Sequence, residues 1–490
     1  MRGLLTGQSR TGDALDSAAY TTAASLLGKA MGLVRGVVVA RLLVPSDLGA
    51  FVLVAAVLGA FEVSNGAGLH DALIHRERQG TRTHQAVWTV SVLRGTLLMV
   101  LVLLGADAIV GALGQPSLAG LLRAASVVLV IRAMSSVSVV LAERAVNLRP
   151  IANLTLLTQI VEFATSVALV WATRNAWGLI GGMVVGALVR TVLSYRIPGF
   201  RPGIVLALSE VRDLWRFGRW RIVSGLLWYV STQGDDLLVG RLLGTGPVGI
   251  YGISYRLAHL PTTEIAFTSA KAAFPSLART HRRNPEEAGA AYLRYLSLTA
   301  GLAAPIGAVL AACASPLVYG LLGDAYADAV LPIAIMSLGG VVHAIVTASA
   351  TYCISGGLPQ IDTVIQVLRA AVLVGSIIAL AKFGIVGVAI ASVLSLVVLL
   401  PVCLYGGMRM GVSALSAIGA VAGRLPAAGL AGAAAWWVTT VGGSNLSMLV
   451  GGAGAGFFAW GVFVWLLDPS FWRQLVRLYQ TARRMVERSS

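Results

Sequence analysis

The sequence predicts an all-α polytopic membrane protein. About 14 transmembrane helices would form two parallel six-helix lobes around a central cavity, plus two C-terminal helices. Three observations predict this. Of 490 residues, 57% are hydrophobic and only 12% charged, against about 25% charged in a soluble domain. Apolar runs of about 20 residues, enough for a helix to cross a bilayer, recur from end to end. A pattern in the first half also returns 200 residues later. A chain with so few polar groups cannot cover a water-facing surface, which excludes a soluble enzyme.

The spans begin near Ser17, Leu48, Ala86, Leu118, Ile151, Trp177, Arg219, Pro247, Ala291, Tyr326, Ile361, Gly384, Pro426 and Leu446. Turn-forming stretches separate them, among them Val44-Pro45-Ser46-Asp47, Gly114-Gln115-Pro116 and Gly356-Gly357-Leu358-Pro359. Arg2, Arg10, Asp13 and Asp16 precede the first apolar run, and Lys29 and Arg35 lie inside it. That pattern reads as a signal anchor, not a cleavable leader.

Basic residues set the orientation. With both termini cytoplasmic, the inside segments carry most of them, from Arg2 and Arg10 through Arg196–Arg221 to the cluster Arg473–Arg488. The outside loops carry Arg41, Arg174, Arg241 and Lys382. The net charge of +16 therefore points to anionic membrane lipids and not to nucleic acid. Two inside stretches have helical apolar spacing suited to a membrane surface: Leu208, Val211, Trp215, and Phe471, Leu475, Leu478, Ala482, Met485.

Val39, Arg41, Leu42, Leu43 and Gly49 recur as Val239, Arg241, Leu242, Leu243 and Gly249, and Gly178-Leu-Ile-Gly181 is echoed by Gly384-Ile-Val-Gly387. The shift covers six spans, an even number, so the halves are parallel repeats about an axis along the membrane normal. The expected organisation is a first lobe at 1–197, an amphipathic linker at 198–218 and a second lobe at 219–407. Two additional spans follow at 408–468, then a basic cytoplasmic tail at 469–490. Two such lobes suit alternating access.

Arg41-Leu42-Leu43 with Gly49 and Phe51, then Asp236, Gly240, Leu243-Gly244, Gly249, Tyr251, Pro261 and Phe274-Pro275, resemble the polysaccharide (Wzx-type) flippases. So does the basic stretch from Leu141-Ala-Glu-Arg144 to Arg149. These flippases belong to the multidrug/oligosaccharidyl-lipid/polysaccharide exporter superfamily. The resemblance implies a carrier of undecaprenyl-diphosphate-linked glycan across the bacterial cytoplasmic (inner) membrane, working beside a polysaccharide polymerase and other assembly proteins. A drug or cation antiporter of the same superfamily and a lipid II flippase are the alternatives.

Ionisable side chains inside spans mark function or pairing. Lys29, Arg35, Arg132 and Arg256 could line a cavity that suits a diphosphate. They could equally be held in pairs such as Lys29–Glu62 and Arg132–Glu162. Glu62, Asp235 and Asp236 are candidates for ion coupling. The two aspartates point about 100° apart on a helix and cannot share a surface, and a salt bridge to Arg256 is the competing reading. Arg94, Arg123, Arg190 and Arg294 lie near span ends and can snorkel. His343 reads as a satisfied polar residue or a proton relay. Cys313, Cys353 and Cys403 read as small buried side chains. No nucleotide-binding loop, metal-binding motif or catalytic set is present in the sequence, so neither enzyme activity nor a cofactor is expected.

Overall fold

The structure is a computed structural model and describes residues 20, 24, 27–75, 80–145, 147–469, 471–474, 476 and 480. Every regular element among them is helical. Arg2 and Arg10 lie outside the described residues, as do the side chains of Leu208, Val211 and Trp215 and residues 481–490. The chain divides into two compact units, Met1–Gly249 and Ile250–Ser490.

The first unit holds α1 (27–42), α2 (Pro45–His75), α3 (Thr81–Ala112), α4 (Ala119–Ala133) and α5 (Ser138–Arg144). It continues with α6 (Arg149–Thr173), α7 (Ala176–Ser194), α8 (Leu208–Leu243) and the first turn of α9 (Thr245–Arg283). The α6–α7 hairpin shows how the sequence specifies packing. Arg174 closes α6 in the left-handed conformation, and Asn175 caps α7 by accepting from the Trp177 amide. Gly178, Gly182 and Gly186 then recur every four residues on α7. A Cβ on any of them would press on Val170, Ser166 or Glu162 of α6. Hydrocarbon gives no hydrophobic reason for two helices to associate, so close backbone approach through small residues does the work.

Hydroxyl groups fasten the end of α4 to the end of α7. Thr191 Oγ1 donates to the Ile131 carbonyl (2.7 Å), and the Ser136 amide donates to Ser194 Oγ (2.8 Å). Tyr195, just past α7, donates to the Met134 carbonyl (2.5 Å) and accepts from Trp88 Nε1 (3.0 Å); burial pushes its phenol up from its ordinary range. The irregular segment before α8 is docked too, since Thr89 Oγ1 accepts from the Val205 amide at 3.1 Å. The first part of the expected linker therefore packs on α3.

The second unit continues α9 and adds α10 (Pro285–Ala312), α11 (Ala314–Leu317), α12 (Val330–Ser355), α13 (Pro359–Leu380) and α14 (Gly384–Val397). It ends with α15 (Leu400–Arg409), α16 (Ala414–Ala422), α17 (Leu425–Val441) and α18 (Asn445–Leu467). Asn284 caps α10 by accepting from the amides of Glu286 and Glu287, with Pro285 at the first helical position. Tyr292 of α10 stacks on Tyr352 of α12 at 4.2 Å and meets Ser349 at 2.9 Å. All three cysteines are buried and free. Past α18, Phe471 is fully buried against Gly301. Arg424 lies over its ring at 4.4 Å, pairs with Asp468 and donates to Ser297 (2.7 Å). Phe471 thus packs into protein and not onto a membrane surface.

Ten stretches among the described residues are long and apolar enough to cross a membrane. One of them, Pro359–Arg409, holds both α13 and α14. The other expected spans are α1, α8 and α9; part of the first lies before Leu27, and α8 and α9 include side chains outside the described set. Large apolar side chains such as Leu104, Trp436, Trp437, Phe458 and Leu467 are exposed, as they are when lipid is the solvent.

Candidate functional site

Among the described residues the first unit shows two polar cavities, and Lys29, Arg35, Glu62 and Arg132 divide between them. One lies along α1 and α6. A space of about 370 Å³ is lined by Lys29, Thr155 and Gln159, and an adjoining one of about 130 Å³ by Arg35, Glu162 and Gln159. Gly28 borders both. The stripe of Gly28, Gly32 and Arg35 on α1 builds this wall because small residues leave room beside the long cation. Arg35 forms an ion pair with Glu162, and Lys29 is exposed.

The second cavity, about 330 Å³, lies among α2, α3, α4, α5 and α7. Glu62, Arg132, Glu143 and Arg190 supply its charges, and Ser91, Ser135, Ser136 and Ser194 its hydroxyls. Arg132 Nη1 donates to Glu62 at 2.6 Å. The pairing therefore differs from either pair expected from sequence. Glu62 takes Arg132 in place of Lys29, and Glu162 takes Arg35 in place of Arg132. The reason is geometric: α6 sits between α1 and α7, whereas α2 packs on α4.

Sequence reasoning missed Arg190, which does not snorkel. It lines the cavity and has no ion-pair partner among the described residues. The signal was there to be read. Gly178, Gly182, Gly186 and Arg190 continue one four-residue register, so Arg190 lies on the packed face of α7. Ser91 Oγ is buried there without a hydrogen-bond partner, which leaves an oxygen available to a ligand.

Asp235 and Asp236 are half-buried on α8, and both interact with neighbours. Tyr229, a turn and a half earlier, donates to the Ala56 carbonyl of α2 at 2.8 Å and lies within electrostatic reach of Asp236 and Glu62. Arg256 belongs to the second unit and is exposed on α9. Among the described residues no group of three His, Cys, Asp or Glu could hold a metal ion. In sum the cavities can present guanidinium groups and hydroxyls to an anion, with carboxylates as exchangeable counter-charges.

The succinoglycan biosynthesis transport protein ExoT of Rhizobium meliloti (strain 1021) is 26% identical over 305 residues, 62% of this chain and 61% of that one. The lipopolysaccharide biosynthesis protein WzxC of Escherichia coli (strain K12) is 21% identical over 267 residues, 54% of each chain. The chain thus spans less than two thirds of the length of the curated relatives it matches. Among solved structures, the lipid II flippase MurJ in an inward closed conformation has a TM-score of 0.72 at 13% identity, covering 93% of this chain and 99% of that one. An inward-facing multidrug resistance MATE transporter of the MOP superfamily has a TM-score of 0.61 at 16% identity, covering 78% of this chain and 94% of that one. The helical membrane fold is theirs, and with residues 38–331 matching the family described as polysaccharide biosynthesis protein, the chain belongs to that family.

Proposed function

We propose that this protein moves an undecaprenyl-diphosphate-linked oligosaccharide from the inner to the outer leaflet of the bacterial cytoplasmic membrane by alternating access, without chemical change to the substrate. The observation that carries the reading is the 330 Å³ polar cavity, with Arg190 and Arg132 facing it inside a unit of apolar spans. A paired phosphate matches the planar donor fork of arginine, and Arg190, which has no ion-pair partner among the described residues, offers that fork inside the cavity. Lys29 and Arg35 would continue the binding surface along α1, and Arg256 would serve the second lobe. The family and the names of the relatives support a glycan substrate. The fold shared with MurJ and MATE supports the transport mode.

The lobes of this scheme are 1–197 and 219–407, with both termini cytoplasmic. Anionic lipids contact the inside arginines, and a polysaccharide polymerase takes the product. The decisive experiment is flipping of a fluorescent undecaprenyl-diphosphate oligosaccharide in proteoliposomes. Wild type should move it to the opposite leaflet, and Arg190→Ala should slow this at least tenfold. Equal rates, or movement of cationic drugs in its place, would defeat the reading. Movement of lipid II alone would narrow the substrate to a peptidoglycan precursor.

A further inference from the structure

The segment joining α7 to α8 is neither helix nor strand over 201–207, yet it is firmly held. Gln85 Nε2 of α3 donates to the Arg201 carbonyl at 3.4 Å, and one turn further along α3 Thr89 Oγ1 accepts from the Val205 amide at 3.1 Å. A Cβ on Gly203 would stand 2.5 Å from Gln85 Nε2, so glycine is what lets this backbone lie on the helix. Exposure alternates along the segment, as it does in extended chain. Val205 and Ala207 turn inward and join the apolar cluster of Leu73, Ala86, Val87 and Val140. Ile204 and Leu206 turn outward and are 84% and 66% exposed.

The position of the segment on α3 identifies what meets those two side chains. Leu93, Leu97, Leu101 and Leu104 are exposed in one stripe along α3, a helix long and apolar enough to cross a membrane. This stripe is the face α3 turns to lipid. Continued backwards four residues at a time, it reaches Thr89 and Gln85, and there the segment covers α3 and buries Thr89. The segment therefore lies on the lipid side of the protein, about 6 Å along the helix axis from Leu93. Trp88 stands at the same level and donates to Tyr195 at 3.0 Å; both residue types settle at the membrane–water boundary. Arg196 and Arg201 are exposed on either side of Phe200. The outward amides and carbonyls of extended chain need water, which places the segment at the headgroups and not in the hydrocarbon.

We propose that residues 200–207 form an interfacial strap that binds anionic lipid. Ile204 and Leu206 enter the acyl boundary of the leaflet beside the start of α3, and Arg196 and Arg201 meet the lipid phosphates there. Apolar side chains alone would suit a protein partner as well; two flanking cations at the level of the headgroups select lipid. The strap ends where α8 begins, so α8 starts from a point fixed both to α3 and to the bilayer surface. A membrane poor in anionic lipid loosens that hold. The strap rests on the membrane fold and is independent of what the protein carries.

The first test puts nitroxide labels on the full chain in nanodiscs containing phosphatidylglycerol, at Ile204→Cys, Leu206→Cys and Arg201→Cys in turn. The three native cysteines are buried and stay unlabelled. Labels at 204 and 206 should favour collision with oxygen over a water-soluble nickel chelate by about threefold, and the label at 201 should favour the chelate. A preference for the chelate at 204 and 206 puts both in water and overturns the strap. Shielding from both reagents means that protein covers them, and overturns it equally. Arg196→Glu with Arg201→Glu should about double chelate access to the label at 204 in phosphatidylglycerol and leave it unchanged in phosphatidylcholine alone. Unchanged access in phosphatidylglycerol overturns the anionic-lipid contact. The unmodified chain answers the question even if the variants fail to fold. Phosphatidylglycerol carrying a diazirine near the head of its acyl chain should crosslink to Ile204 or Leu206. Crosslinks that skip 201–207 overturn the proposal.

Discussion

Gly49 and Gly249, exactly the residues that the internal repeat equates, lie back to back. A Cβ on Gly49 would stand 2.8 Å from the Gly249 nitrogen, and one on Gly249 would stand 3.0 Å from the Gly49 nitrogen. Each would also collide with a backbone carbonyl, that of Thr245 or Pro45. The starts of α2 and α9 therefore approach through glycine, backbone against backbone.

Backbone cannot yield as a side chain can, so Gly49→Ala and Gly249→Ala should both destabilise. The cost should be of the order of overpacking, about 1–3 kcal/mol each. Thermal unfolding in detergent checks this, and a neutral result for either would remove the close approach.

Arg190 and Arg132 should behave differently although they share a cavity. Arg190→Ala removes a cation with no carboxylate partner among the described residues and should lower flipping without lowering stability. Arg132→Ala leaves Glu62 half-buried and unpaired and should lower both. Adding Glu62→Gln to Arg132→Ala should restore the stability but not the flipping. Paired flipping and unfolding measurements separate the two arginines.

The Arg35–Glu162 pair allows a test of its own. If it only holds α1 on α6, exchanging the charges as Arg35→Glu with Glu162→Arg should recover most of the activity lost in either single variant. If Arg35 also meets the substrate, the exchanged protein should fold and remain at least tenfold slow. Arg256→Ala, in the second unit, should impair export while the protein stays in the membrane.

Phe471 sits under Arg424 and against Gly301, so Phe471→Ala should cost about 3–5 kcal/mol through the cavity it leaves. Phe471→Leu should recover much of that. Loss of protein from the membrane fraction on warming would report it.

Much of the fold was legible because its signals are periodic. Apolar runs, turn residues and the 200-residue echo each repeat, and lipid imposes helix on all of them. Most charged residues lining the cavities were legible as intramembrane charges, which are rare; Arg190 was not. Their partners were not legible. Glu62 and Arg132 are 70 residues apart, and which carboxylate reaches which guanidinium depends on how α1, α2, α6 and α7 neighbour one another. Arg190 was misread because position near a span end was weighed above its register with Gly186. Phe471 was misread because an apolar stripe looks alike whether protein or lipid covers it.

The glycine seam between α6 and α7 has a mechanical consequence. Helices packed through glycine over three successive turns slide poorly, so the two act as one plank. Glu162 and Arg190 ride on that plank together, and whatever swings during a cycle carries both at a fixed spacing. The cavity beside Glu162 and the one beside Arg190 therefore keep a single separation, set by the glycine seam.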